Sequence, residues 1–156
     1  MQQPQPDIRE ILTTDTVALD SEPESKTDCI ETLLDLVVAT GRVEDRDAAF
    51  DALLAREEET TTGVGKGIGI PHAKTDAVSE PTLAFLRSEA GIDFDAMDGE
   101  PAHLIFMILV PESGSQDHLS ILSSLSRALM HDDVRESLYD ADSPDRVVDV
   151  VAEAVE

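Results

Sequence analysis

Apolar residues in this chain fall into two kinds of run, one spaced by three and four positions and one nearly unbroken, and the two kinds take turns. From Asp28 to Ala39 the positions Ile30, Leu33, Leu34, Val37 and Val38 share one helical face, and Gly41 is placed to stop that helix. Asp45 offers an N-cap for a second helix through about Arg56, which buries Ala49, Phe50, Leu53 and Leu54. Thr82 to Arg87 predicts a strand. His103 to Val110 (HLIFMILV) predicts a central strand covered on both faces, because its apolar run leaves no polar side for water. Beyond it, Leu119, Ile121, Leu122, Leu125, Ala128 and Leu129 set a helix over His118 to Met130. Asp132 to Tyr139 forms a shorter helix, and Ser143 caps a last one whose first turn contains Pro144. Nearer the start, Ile8 to Leu19 predicts a helical turn followed by a strand, and Gly67 to Pro71 is strand-like.

This alternation predicts an α/β fold: a single domain over residues 8–156, with a mixed β-sheet flanked by helices on both faces, behind a flexible N-terminus of residues 1–7. Strand order does not follow from the pattern. With 156 residues and 41% hydrophobic content the chain suits one core, and a domain of this size buries about 70% of its unfolded surface. Only 3% of the residues are aromatic, so that core is aliphatic and lacks the stacking faces of a single-strand nucleic-acid binder. A net charge of -23 argues further against nucleic acid, whose backbone is held by clustered Lys and Arg.

The acids are spread along the whole chain, and lysine is reduced to Lys26, Lys66 and Lys74 against eight arginines. Apolar periodicity separates this pattern from an acidic disordered region, so it describes a folded protein with an acidic coat. Such a coat fits life in high salt, where a screening length of roughly 3 Å at about 1 M removes most self-repulsion. An ordinary acidic protein is the rival reading. The single Cys29 excludes an internal disulfide and lies in an apolar helical pattern, as a buried thiol does. No stretch approaches 18 apolar residues and Met1 to Pro6 is not a signal peptide, so a cytoplasmic protein is expected.

Candidate chemistry concentrates in Gly63 to Val78, GVGKGIGIPHAKTDAV. Alternate glycines let backbone N–H groups approach an anion, Pro71 fixes the chain just before His72, and a neutral imidazole is a nucleophile near physiological pH. A nucleotide P-loop fails, because Gly67 follows Gly65-Lys66 and Thr60 stands where its first glycine belongs. A dinucleotide fingerprint begun at Gly63 or Gly65 ends on Ile68 or Ile70 and fails too. Two readings stay open on these residues alone: a phosphohistidine carrier, or a glycine-rich strand and turn with a structural histidine. His103 opens the apolar strand and marks its edge, and His131 sits near a helix end where a cation is favourable. No metal-ligand spacing links these histidines to other ligands, and neither metal nor cofactor is expected.

Three blocks in order, GKGIGIPHAKTDAV, Ala84 to Glu112 and HLSILSSLSRALM from His118, resemble the fructose and mannitol class of IIA components of the sugar phosphotransferase system. PHAKTDAV with GIDFDAMDG after it resembles the fructose branch most; nitrogen-regulatory relatives share the Pro-His core. The resemblance implies a mixed sheet flanked by helices and a relay that takes a phosphoryl group from the phosphocarrier HPr and gives it to a IIB component. It implies that His72 is the phosphorylated residue, attacking through Nε2 with Nδ1 fixed by a neighbour, that His118 supports it, and that Arg56 neutralises phosphate oxygens. Thr61, Thr62, Gly63 and Gly65 complete the expected phosphate-binding set. For His118 the rival is a solvent-facing residue at a helix start, and for Arg56 a last-turn arginine capping carbonyls.

Glu57 would brace Arg56 or the imidazole, with a solvated acidic run as the rival, and Lys74 would border the site. The sugar is fructose on this resemblance, never touching the domain, and the membrane IIC component is met only indirectly. No IIB or IIC segment is fused here, so these partners are expected as separate proteins. A regulatory module that binds proteins according to its phosphorylation is the alternative. Two further expectations concern the loop: an apolar docking patch of Ile68, Ile70 and Val78, and added flexibility from Gly69, where many relatives have Ala.

Overall fold

The computed structural model describes residues 8–19, 21–59, 63–96, 98–113 and 115–155, with backbone only for 63–64 and 115–119. The chain opens with α1 (Ile8–Ile11), a 3-10 turn (Thr14–Thr16) and β1 (Val17–Ala18). Two helices follow, α2 (Lys26–Ala39) and α3 (Arg46–Glu59). Each starts where the sequence supplies an oxygen to cap it: Ser25 Oγ accepts from Asp28 N at 3.1 Å, and Asp45 Oδ1 accepts from Ala48 N at 3.1 Å. Five strands come next, β2 (Gly63–Gly65), β3 (Ile68–Gly69), β4 (His72–Lys74), β5 (Thr82–Ile92) and β6 (Ala102–Val110). Helices α4 (Ser115–Leu129), α5 (Asp132–Asp140) and α6 (Pro144–Val155) close the chain, the last capped by Ser143 as its sequence predicts.

The strands form one mixed sheet in the order β1-β5-β6-β3-β2, with β4 also on β6. β6 is central: β5 runs antiparallel along one side, and β3 and β4 lie parallel along the other. Alternation divides its side chains between two cores. Leu104, Phe106, Ile108 and Val110 join residues of α1, α4, α5 and α6, whereas Ile105, Met107 and Leu109 join those of α2 and α3. The sheet thus has helices on both faces, which is why the HLIFMILV run carries no polar side. Cys29 is fully buried under α2, and burial pushes its thiol up to about 12. Among the described residues no helix is long and apolar enough to cross a membrane.

Two local expectations change, and a third gains a second aspect. Ile68, Ile70 and Val78 are each 1% exposed and belong to the two cores, so they offer no docking patch. Gly69 is held in β3 opposite Ile105, and a Cβ added there would meet the Phe94 ring at 3.2 Å. Its missing side chain makes room for Phe94 rather than loosening a loop. His131 lies just past the end of α4, where its backbone N–H donates to Ala128 O at 3.2 Å, and it is at the same time the N-cap residue of α5.

Candidate functional site

The edge of β6 that carries β3 and β4 is filled by one interrupted strand. Ile68 and Gly69 pair with Leu104 and Ile105, the ladder breaks at Ile70 and Pro71, and His72 resumes it opposite Ile108. Proline has no N–H to give a ladder, and here its carbonyl instead accepts from Ile108 N at 3.0 Å, which holds the break against β6. The Ile70 carbonyl is left to turn toward His72 and accepts from its Nδ1 at 2.7 Å. A carbonyl only accepts, so Nδ1 carries the proton and Nε2 presents its lone pair.

His72 is 8% exposed. Burial pushes its pKa below the ordinary 6.5, and the charge of Arg56 adds to the effect; the Ile70 hydrogen bond and Glu57 pull the other way. The ring is therefore kept neutral near pH 7 with its nucleophilic nitrogen unprotonated. Ala73, the next residue, packs into the core under α2 and α3, and α3 lies against β4.

Arg56 and Glu57 come from the last turn of α3. Arg56 Nη1 is buried without a hydrogen-bond partner, a donor left available to an anion. Beside it opens a cleft of about 420 Å³ lined by Ala52, Ala55, Arg56, Glu59, Ala73, Lys74 and Glu112. Glu57 Oε2 pairs with Lys26 Nζ at 3.2 Å. The α4 end of the site is brought close by β6: Thr75 N donates to Val110 O at 2.8 Å, and Glu112 N to Asp76 Oδ1 at 3.2 Å, just before α4 begins. His118 lies in the first turn of α4, with its side chain outside the described residues.

The glycines are placed differently. β2 and β3 form a hairpin whose two turn residues, Lys66 and Gly67, both have positive φ, 58° and 80°. Gly63 pairs with Gly69 in that hairpin. Gly65 lies against a carboxylate, since an added Cβ would come 3.0 Å from Asp98 Oδ2, and the same oxygen takes the Lys66 N–H at 3.0 Å. That amide holds Asp98 below the usual carboxylate range. Thr61 and Thr62 lie outside the described residues. His103, at the far end of β6, donates Nδ1–H to Ser88 O at 3.0 Å, and a carbonyl partner fixes its tautomer as Ile70 fixes that of His72. Lys26 is the one member of this cluster that local pattern does not point to. Its signal is scarcity: it is one of three lysines, directly after a helix cap.

A neutral, tautomer-fixed histidine at a strand break, with a part-buried arginine and an open cleft beside it on an α/β sandwich, is an arrangement chemically suited to phosphoryl transfer. Residues 10–154 match the family model for the phosphoenolpyruvate-dependent sugar phosphotransferase system, EIIA 2. The chain belongs to this family and is a phosphotransferase component that acts by relay. It is 64% identical over 150 residues to the "PTS system fructose-specific EIIA component" of the halophile Haloferax volcanii, covering 96% of this chain and 97% of that one. The nitrogen regulatory protein IIA-Ntr of Neisseria meningitidis superposes with a TM-score of 0.82 at 35% identity, covering 92% and 98%. Enzyme IIA-mannitol of Escherichia coli, solved in complex with phosphorylated enzyme IIB-mannitol, gives 0.78 at 26%, covering 91% and 97%.

Proposed function

We propose that His72 carries the phosphoryl group, taking it from phospho-HPr on Nε2 and passing it to a IIB component during uptake and phosphorylation of a sugar. The observation that carries this reading is the Nδ1–H donated to Ile70 O at 2.7 Å, which commits the ring to one tautomer. In the transfer, the phosphorus–nitrogen bond of the donor breaks and its electron pair returns to the donor imidazole, while the Nε2 lone pair of His72 forms the new bond. Nδ1–H stays on Ile70 throughout, so His72 neither gains nor loses a proton. Delivery to IIB reverses the roles. Neither step needs a metal or cofactor: in-line positioning and charge stabilisation supply the catalysis. Arg56 supplies the cation, His118 supports from the first turn of α4, and Thr61, Thr62 and Gly63 complete the phosphate contacts. Gly65 belongs to the same set through its backbone, beside the Asp98 carboxylate that orders the hairpin turn.

Fructose is the sugar of this reading, on the likeness to the fructose-specific component of Haloferax volcanii. IIC is met only indirectly, and the relay works in the cytoplasm. The likeness to IIA-Ntr favours a second role in phosphorylation-dependent protein binding, at the lower identity of 35%. Intact mass after incubation in molar salt with enzyme I, HPr and phosphoenolpyruvate tests the relay. The expected result is an acid-labile, alkali-stable gain of one phosphoryl group, absent from His72→Ala. Folded wild type that gains nothing from a competent donor refutes it.

A further inference from the structure

We infer that Lys26 is a positioning residue for the phosphoryl site: by pairing with Glu57 it keeps that buried carboxylate off Arg56 and leaves the guanidinium open to phosphate oxygens. This rests on the reading of His72 as the phosphoryl carrier.

Lys26 is the first residue of α2, and its ammonium reaches across to the last turn of α3. Nζ lies 3.2 Å from Glu57 Oε2 and 3.4 Å from Asp95 Oδ2, and 5.9 Å from the centre of the Phe94 ring. The Glu57 side chain is only 5% exposed, so its charge is nearly out of water and must be compensated by a neighbour. Asp95, 75% exposed, is screened by solvent and competes weakly for the ammonium. Phe94, whose ring the ammonium faces, is fully buried against Gly69, at the head of the segment that leads through Ile70 and Pro71 to His72.

Arg56 and Glu57 are consecutive, opposite in charge and both felt by the His72 ring. Left to themselves two such groups pair. Yet Arg56 Nη1 and Glu57 Oε2 are both buried without a hydrogen bond, and it is Lys26 that stands 3.2 Å from the Glu57 oxygen as its ion-pair partner.

The test compares Lys26→Met, which keeps an apolar stem, with Lys26→Arg, which keeps the charge, and with Lys26→Met/Glu57→Gln, which removes both members of the pair. Each is read in molar salt by the rate of phosphorylation from HPr and by NMR titration of the His72 ring. Lys26→Met is expected to slow transfer by about tenfold and to raise the pH at which His72 titrates, because Arg56 is then drawn onto Glu57 and one positive charge near the ring is lost. Lys26→Arg and the double variant are expected to restore most of both. If Lys26→Met transfers as fast as wild type with its titration unmoved, the inference is wrong and His72 remains the carrier. Equal losses in Lys26→Met and Lys26→Arg with unmoved titration reduce Lys26 to a packing residue and also overturn it. Wild type that takes no phosphoryl group on His72 overturns the carrier reading itself, and the titrations then still decide whether Lys26 compensates Glu57.

Discussion

Nδ1 of His72 is engaged by a carbonyl, and burial is what makes charging the rest of the ring costly. Since the folded ring titrates below 6.5, phosphoryl acceptance should stay level as pH falls through 6.5 and decline only below it, as a pH–rate profile would report. Stability follows the same group. Below 6.5 the unfolded chain binds more protons at this position than the folded one, so His72 favours folding above that pH and its contribution is lost as pH falls through the lowered folded value. Chemical denaturation of wild type and His72→Gln should therefore diverge with acid, with the wild type the steeper. His72 itself is legible in the sequence because glycines and a proline announce the break that holds it. Lys26 is not legible as a site residue, because only folding brings the start of α2 against the end of α3. The carboxylate that stands against Gly65, that of Asp98, is an equally long-range contact and equally illegible.

Helices are the easiest elements to read, since Asp45 and Ser143 announce two of them and their apolar faces repeat at helical spacing, whereas the Ser25 cap that starts α2 earlier, at Lys26, shows only in the structure. β5 and β6 were legible as apolar runs. The short strands were not: β2, β3 and β4 hold two or three residues each, too few to show a period, and their pairing depends wholly on β6. The far end of β5 runs past its apolar stretch to Ile92, through a register irregularity after Arg87. Gly91 makes that irregularity possible, with φ of 87° and no room for a side chain: an added Cβ would come 2.8 Å from Pro101 Cβ and 2.9 Å from His103 Cε1. Gly91→Ala should cost about 2 kcal/mol or more through strain and overpacking together, measured by urea denaturation in high salt. Arg87 ties the same strand to another layer. Its Nη1 donates to the carbonyls of Leu138, Tyr139 and Ala141 at 3.0, 3.1 and 2.6 Å, at the end of α5. Arg87→Met should speed amide exchange in α5 while leaving α2 protected, because it strips the C-terminal carbonyls of one helix only.

Across the whole molecule, 34 acids face 11 bases, and the described ion pairs are mostly exposed and worth little each. Charge repulsion is therefore uncompensated in dilute buffer, and circular dichroism should show loss of structure on dialysis from molar salt, recovered when salt is restored. An unchanged spectrum would mean that two cores suffice without screening. Salt that relieves repulsion within one molecule also relieves it between molecules, so an acidic coat stops keeping neighbours apart in brine. The sheet meets this hazard by the shortness of its borders. β1 covers two residues of β5 on one side, where Glu22 also takes the amides of Glu89 and Ala90, and β2 and β4 offer three residues each on the other, divided by the break at Ile70 and Pro71. Among the described residues the borders are thus short or capped by a side chain, a geometry that should resist edge-to-edge pairing where charge no longer serves.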